Sequence, residues 1–204
     1  MPTLLHLDSS IWPGDASTSR AVTAAFRGEW EAQHPDGTVI HRDLAADPLP
    51  HITDDGFTAG NEDPLRATLA RELEQADVVL IAAPMYNLTV PSTLKAWIDQ
   101  VMVPGRIIGE RPSAAGTPVV VVSSRGSTYR PGTPRDGGDF VVPYLTTLFA
   151  TYFGITEVEF IIAELTSAVK RAWGPEAVRR YEASLARAHE DAVTKAKELA
   201  ARFA

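Results

Sequence analysis

The stretch "DVVLIAAPMYNLTVPSTLKAWIDQV", residues 77–101, decides the fold class, because it passes from a strand to a helix within a few residues. Its first part, Asp77–Ala83, is a nearly uninterrupted apolar run, which is typical of a strand covered on both faces of a parallel sheet. Pro91 then begins a helix whose apolar residues recur at helical spacing. Between the two lie Met85–Leu88, although a simple turn would favour Gly, Asp and Ser. The segment therefore predicts a βα unit with a functional loop.

The same alternation of strand and helix occurs along the whole chain. The predicted strands are Thr3–Leu7, Thr38–Leu44, Asp77–Ala83, Pro118–Ser124 and Thr156–Glu164. Five helices are predicted. The first carries Val22, Phe26 and Trp30 on its apolar face, and the second begins at Pro64, directly after the capping residue Asp63. The third begins at Pro91, the fourth spans Val141–Phe153, and the fifth begins near Pro175. The Pro-, Gly- and Asp-rich residues 45–63 are predicted to be loop. This order predicts a single α/β domain over residues 1–204, a doubly wound five-stranded parallel sheet with helices on both faces.

Composition excludes several classes of protein. The 204 residues carry 19 basic and 26 acidic side chains, a net charge of −7, which disfavours nucleic acid and anionic membranes as partners. With no cysteine, the chain has no disulfides, thiolate zinc sites or iron–sulfur clusters. The five histidines show no metal-binding spacing, so no metal site is predicted. Since no signal peptide and no membrane span is recognisable, we expect a cytoplasmic protein.

The first candidate loop follows the first strand and reads "DSSIWPGDASTSR", residues 8–20. It offers several hydroxyls and leads into a helix N-terminus, where backbone N–H groups and the helix dipole bind anions. It lacks the glycine spacing and the G-K-[ST] end of a Walker loop, and Arg20 is its only basic residue. These features favour a phosphomonoester over a triphosphate. The alternative is a Ser-rich turn with a helix cap.

Two further loops follow the third and fourth strands. Met85–Leu88 lies beyond the third strand, and Ser124–Ser127 lies beyond the fourth, where Gly126 allows close approach of a planar ligand. Each alone could reflect local turn chemistry or side-chain packing. Because the carboxyl ends of parallel strands meet at one sheet edge, the three loops together predict a site for a flat ring on a phosphorylated tail, which describes FMN.

The order D-S-S…S-T-S-R, A-P-M-Y-N-x-x-x-P-x-x-L-K-x-W-I-D and S-S-R-G resembles the FMN-dependent NADH azoreductases, a flavodoxin-like branch of the NAD(P)H quinone reductases. The resemblance extends over nearly the whole chain, including "RDLAADPLP" and "VVPYLTTLFATYFGIT". It implies a flavodoxin-like fold. It also implies FMN contacts from the phosphate loop at Ser10, Ser17, Thr18 and Ser19, from the ring loop at Met85, Tyr86, Asn87 and Leu88, and from the third loop at Ser124, Arg125, Gly126 and Ser127.

This sequence departs from the family pattern in three places. The usual S-R-G-G reads S-R-G-S, which places Ser127 where the family has glycine. The segment between Ile107 and Gly116 is shorter than usual, with Ile107–Ile108 where an aromatic residue often faces the flavin pocket, and the segment from Ala45 to Asn61 is trimmed. These regions shape the substrate entrance and the dimer contacts.

The resemblance implies an FMN-dependent NAD(P)H oxidoreductase that reduces azo compounds, quinones or both by two electrons. Flavin N5 would carry the chemistry, with no catalytic acid or base among the side chains. Donor and acceptor would occupy one pocket in turn, which predicts ping-pong kinetics. A homodimer is implied, with 91–102 and 141–153 as candidate contact faces. The alternatives are a flavodoxin-type electron carrier for protein partners, a flavin protein without turnover, and a hydrolase, which the missing G-x-S-x-G motif disfavours.

Overall fold

The computed structural model describes residues 1–203, apart from the side chain of Asp15. Its strands are β1 (Thr3–Asp8), β2 (Thr38–Asp43), β3 (Val78–Ala82), β4 (Val119–Ser124) and β5 (Val158–Ala163). Its α-helices are α1 (Thr18–Gln33), α2 (Asp54–Ala59), α3 (Pro64–Gln75), α4 (Ser92–Val101), α5 (Val141–Leu148) and α6 (Pro175–Ala200). The five predicted strands are confirmed, each to within two residues at either end.

The five strands form one sheet in the order β2-β1-β3-β4-β5, and all neighbouring pairs are parallel. The chain proceeds outward from β1 in one direction to β2 and in the other direction through β3 to β5. The strand order therefore reverses between β1 and β3, and ligands of such sheets bind beyond the carboxyl ends of the strands at that point. The predicted doubly wound α/β fold is confirmed.

Helices cover both faces of the sheet, as the apolar strands require. On one face α1 and α6 pack against the sheet through residues such as Phe26, Trp30 and Leu199, which are fully or almost fully buried. On the other face α3, α4 and α5 pack through residues such as Leu69 and Trp97. Burial of these side chains on two separate faces explains why β3 is apolar at every position and why β4 is apolar over its first four residues.

Two helix ends that the sequence predicts, the start of α3 and the end of the helical segment after α5, are determined by local residues. The Asp63 carboxylate accepts hydrogen bonds from the N–H groups of Leu65 and Arg66 at 2.9 and 3.0 Å, so it caps α3 as expected. After α5 the chain continues as a π-helical turn, Phe149–Phe153, and ends at Gly154 with φ of 66°. Glycine suits this left-handed position because it has no Cβ.

The prediction of a loop over residues 45–63 is wrong in part. The segment contains α2, capped by Thr53, whose hydroxyl accepts from the Gly56 N–H at 3.2 Å, followed by the 3₁₀ turn Gly60–Glu62. None of the α2 residues is buried, so the helix lacks the apolar periodicity that reveals helices in a sequence. Among the residues that the structure describes, no helix combines the length and apolar character needed to cross a bilayer.

Candidate functional site

A cavity of about 390 Å³ opens at the carboxyl edge of the sheet, where the strand order reverses. This volume lies within the range of roughly 300–1,000 Å³ that is typical of small-molecule and cofactor sites. Loops from four strands form its wall. The lining residues are Ser10, Trp12, Ala16, Ser17, Thr18, Pro84, Met85, Tyr86, Ser124, Gly126, Thr166, Ser167 and Lys170.

The serine loop presents a helix N-terminus to this cavity. Ser17 caps α1, with its hydroxyl accepting from the Arg20 N–H at 3.4 Å and lying 3.2 Å from the Ser19 hydroxyl. Ser17 and Thr18 line the cavity, whereas Ser19 lies fully buried behind them. The first turn of a helix leaves its N–H groups without intrahelical partners, so this end of α1 is suited to an anionic group.

Hydroxyl contacts join the serine loop to the loop after β3. The Ser10 and Tyr86 hydroxyls lie 3.3 Å apart, and the Ile11 N–H donates to the Tyr86 hydroxyl at 3.2 Å. The Ser9 hydroxyl donates to the Ala82 carbonyl at 2.6 Å. Two loops that are distant in sequence are thus held in a defined relative position across β1 and β3.

Arg20, the basic residue of the serine loop, is committed to other partners. Its terminal nitrogens donate to the two carboxylate oxygens of Asp43 at 2.8 and 2.6 Å, and one of them also donates to the Ser10 carbonyl at 2.9 Å. A further ion pair joins it to Asp8 at 3.2 Å. Arg20 therefore anchors the start of the serine loop to the end of β2, and it does not line the cavity.

The loop after β3 makes a tight turn with an unfavourable backbone. Tyr86 and Thr89 exchange two backbone hydrogen bonds, of 2.9 and 3.1 Å, around Asn87 and Leu88, which have φ of 48° and 73°. Asparagine tolerates positive φ, but leucine rarely adopts it, and such residues cost about 1–3 kcal/mol each. The Phe140 N–H donates to the Leu88 carbonyl at 3.0 Å and secures the turn from outside. Strain of this kind is concentrated at functional sites.

This geometry predicts that two substitutions of Asn87 differ in their effect on the free energy of unfolding. Asn87→Ala should lower the free energy of unfolding by about 1 kcal/mol, because alanine pays the steric cost of the left-handed region, whereas Asn87→Gly should not. Urea denaturation of both variants measures the difference. If the Asn87 side chain binds the flavin ring, both variants lose FMN affinity equally; unchanged affinity in both would assign Asn87 to the turn alone.

The third loop packs closely against the segment that follows β5. A Cβ atom at Gly126 would lie 2.7 Å from the Ser167 hydroxyl, so even alanine would displace that side chain. The Met85 N–H donates to the Ser124 carbonyl at 2.9 Å, which ties this loop to the preceding one. Ser127 lines an adjoining cavity of about 160 Å³ and has no positive φ, so serine fits here without the strain that glycine would relieve.

Arg125 lies beneath the third loop. Its side chain is buried and pairs with Asp139 at 2.7 Å, while its Nε and Nη2 have no hydrogen-bond partner among the described residues. Its backbone N–H donates to the Ala163 carbonyl at 2.8 Å. The guanidinium therefore holds the loop to the start of α5.

The structure brings most of the sequence-predicted site residues to one cavity. Those on its wall are Ser10, Ser17, Thr18, Met85, Tyr86, Ser124 and Gly126, and Ser127 lines the adjoining cavity. Ser19, Asn87, Leu88 and Arg125 lie outside the wall: Ser19 behind the loop, Asn87 and Leu88 at the turn, and Arg125 in its ion pair.

The sequence analysis missed a fourth loop, between β5 and α6. Thr166, Ser167 and Lys170 of this loop line the cavity, together with Trp12 of the serine loop. The Lys170 ammonium lies 5.5 Å from the centroid of the Trp12 ring, a cation–π distance. The signal was available, because the carboxyl end of β5 lies at the same edge as the other strands. The cavity thus has a cation that Arg20 does not supply.

A substitution of Lys170 can test how much the positive charge of its side chain contributes to FMN binding. Lys170→Met should weaken FMN binding about two- to fivefold at low ionic strength, because an exposed charge contributes roughly 0.2–1 kcal/mol, and high salt should abolish the difference. Fluorescence titration of the apoprotein at two salt concentrations measures it. Arg111→Met is the matched control, because Arg111 is exposed and lines neither this cavity nor the adjoining one. Equal losses in both variants would indicate a general charge effect.

The sequence profile of the flavodoxin-like fold family matches residues 2–185 of the chain. The chain belongs to this family. Within the flavodoxin-like family it is 55% identical to the FMN-dependent NADH:quinone oxidoreductase of Streptomyces coelicolor, an alignment that covers 100% of the chain and 97% of the relative. It is 53% identical to the protein of the same description from Streptomyces avermitilis, with 100% of both chains covered. The predicted membership of this flavodoxin-like branch is confirmed.

Solved structures agree on the flavodoxin-like fold. The crystal structure of azoreductase from Bacillus anthracis superposes with a TM-score of 0.77 at 21% identity, covering 95% of this chain and 100% of that one. An FMN-dependent NADH-azoreductase from Bacillus anthracis, in complex with FMN, superposes with a TM-score of 0.77 at 17% identity and covers 95% and 99%. At such identities the likeness establishes the fold.

Proposed function

We propose that the protein is an FMN-dependent NADH oxidoreductase that reduces quinones, azo compounds or both by two electrons. The observation that carries the proposal is the cavity at the reversal of the strand order, which joins a hydroxyl-lined helix N-terminus to the loops after β3 and β4. Membership of the oxidoreductase branch, with relatives above 50% identity over the whole chain, supports it.

The donor chemistry of the cavity fits FMN. Ser17 and Thr18 would hold the phosphate together with the free N–H groups of α1, with Lys170 as the nearby cation. Met85, Tyr86 and Gly126 would lie along the flat ring, and the backbone at Ser124–Ser127 would bind its polar edge. Backbone hydrogen bonds between Tyr86 and Thr89 and from Phe140 to Leu88 hold the ring loop in its turn. In this proposal the twelve predicted residues form the FMN site, with Ser19 and Arg125 acting from behind the wall.

When bound, FMN supplies the redox chemistry, taking two electrons from NADH and passing them to the acceptor. The protein would bind the flavin and orient it towards the electron donor and the acceptor. Tyr86 and Lys170 are the titratable side chains among the described residues that line the cavity, and neither is needed as a general acid or base because flavin N5 would carry the chemistry. Backbone N–H groups would stabilise negative charge at the ring edge.

The decisive experiment is anaerobic addition of NADH to the purified FMN-loaded protein, followed by visible absorption. Rapid bleaching, and recovery on adding a quinone, supports the enzyme. Initial rates with varied NADH and quinone should give parallel double-reciprocal plots, because both would use the same pocket in turn. Bound FMN that NADH cannot reduce would instead favour the flavodoxin-type carrier or a flavin protein without turnover.

The proposal includes one FMN-binding domain formed by the whole chain, acting in the cytoplasm as a homodimer. The apolar residues of α4 are largely used within the chain, which leaves less of the 91–102 face for a partner. Apart from Met1 and Phe57, the exposed large apolar residues of the described chain lie instead on the loops around the cavity and on the turn after α5. They are Ile11, Trp12, Leu88, Phe140, Tyr152, Val169 and Trp173. Sedimentation velocity should give a dimer, and a monomer at working concentration contradicts this part.

A further inference from the structure

A second cluster of ligand-type side chains lies on the α1 face of the sheet. His6 and Asp8 share one face of β1 because they are two residues apart, and His41 of β2 is the register partner of His6. A cavity of about 220 Å³ adjoins them, lined also by Gly14, Arg20, Ala21, Ala24 and Arg27. Within the described part of the chain, this cavity shares no lining residue with the cavity at the sheet edge.

His6 is the unusual member of the cluster. Its side chain is nearly fully buried, with the residue 3% exposed, yet neither ring nitrogen has a hydrogen-bond partner among the described residues. Buried polar groups are almost always paired, and an exception commonly marks a bound water or ion.

The three side chains are arranged as ligands of one ion. His6 Nε2 lies 3.5 Å from Asp8 Oδ1, and His41 Nε2 lies 3.0 Å from Asp8 Oδ2. One ligand atom from each residue falls within 4.8 Å of the others. A tetrahedral zinc ion with bonds of about 2.0–2.1 Å holds its ligand atoms about 3.3 Å apart, so small side-chain rotations suffice. The half-exposed His41 leaves an entry path from solvent.

The charged groups around the cluster are compatible with a bound cation. Asp8 supplies the carboxylate of the cluster, and only 5% of the residue is exposed. The Arg20 charge is offset by its two hydrogen bonds to Asp43, at 2.8 and 2.6 Å. Arg27, on α1, pairs with Glu31 at 2.9 Å. Arg20 also contacts Asp8 Oδ2 at 3.2 Å, so the Asp8 carboxylate would be shared between Arg20 and the ion.

We propose that His6, Asp8 and His41 form a binding site for one divalent cation of the zinc type. Two imidazoles and one carboxylate are borderline ligands, which suit zinc and its first-row neighbours better than magnesium or calcium. The ion would join edge strand β2 to β1 directly behind the serine loop, since Ser9 and Ser10 follow Asp8. It therefore has a structural role and takes no part in the flavin chemistry. Histidine spacing along the sequence does not reveal the site, because His6 and His41 lie on different strands.

The test uses tag-free full-length protein, stripped with EDTA and freed of the chelator. Isothermal titration with zinc chloride should give one ion per chain. Zinc at about one hundred times its dissociation constant should raise the melting temperature by on the order of 5–10 °C. Histidine ring NMR signals should shift for His6 and His41 on one equivalent of zinc and remain unchanged for His189. Unshifted His6 and His41 signals, or binding well below one equivalent, would overturn the proposal.

Variants separate the cluster from adventitious binding. His41→Gln should weaken zinc binding at least tenfold, because loss of a direct ligand costs no less than loss of an outer-shell partner, about 10–100-fold. His51→Gln, at an exposed histidine away from the cluster, is the matched control and should bind as the unmodified protein does. Equal zinc affinity in His41→Gln and unmodified protein contradicts the site. The NMR readout needs no variant, so it decides the matter even if His41→Gln folds poorly.

Discussion

Replacing Ser17 with alanine and Thr18 with valine is expected to weaken FMN binding by about a hundredfold to ten-thousandfold. Both side chains line the cavity at the N-terminus of α1. A hydrogen bond to a charged group contributes roughly 1.5–3 kcal/mol, so two of them contribute about 3–6 kcal/mol if they add. The net charge of −7 repels the phosphate at long range, so phosphate binding would depend on short-range donors such as these. Fluorescence titration of the apoprotein measures the loss.

Two controls separate phosphate binding from damage to the helix. Riboflavin has no phosphate and should bind the double variant and the unmodified protein almost equally. Thr53→Ala removes the hydroxyl that caps α2, at a helix that does not line the cavity, and should leave FMN affinity unchanged. If the double variant binds FMN as tightly as the unmodified protein, then the serine loop is only a capped turn.

Replacing Arg66 with methionine is expected to lower the free energy of unfolding by about 3–5 kcal/mol, the largest loss of stability that we predict. The guanidinium is fully buried and donates only to backbone carbonyls. The acceptors are Gln100 at 3.0 Å, Gly56 at 2.7 Å, Phe57 at 3.3 Å and Met102 at 2.8 Å. Methionine fills similar space but removes all of these hydrogen bonds, which link α2 to the end of α4.

Arg71→Met is the matched control, because Arg71 lies exposed on the same helix, α3. Substitution of an exposed residue should change the free energy of unfolding by no more than about 0.5 kcal/mol. Urea denaturation of the two variants gives the comparison. Equal stability of Arg66→Met and Arg71→Met would show that the Arg66 hydrogen bonds contribute nothing net.

Regular local patterns made much of the fold predictable. The apolar runs of β3 and β4, the proline and aspartate that begin α3, and the glycine that ends the helix at 153 each act within a few residues. The placement of three loops at one edge follows from the rule that parallel strands end on the same side. The short helix α2 was not predictable, because its stability comes from contacts with Arg66 and not from an apolar face of its own.

By itself the sequence determined the order of the strands and of the main helices, the α/β class and the identity of three of the four loops that meet at the cavity. The tertiary structure alone decided the partners of the charged and polar side chains. Arg20 turns to Asp43, Lys170 reaches the cavity from a loop near the end of the chain, and His6 meets His41 across two strands. The reason is physical: helix and strand patterns depend on neighbours a few residues apart, whereas ion pairs and ligand clusters depend on distances that only the folded chain sets.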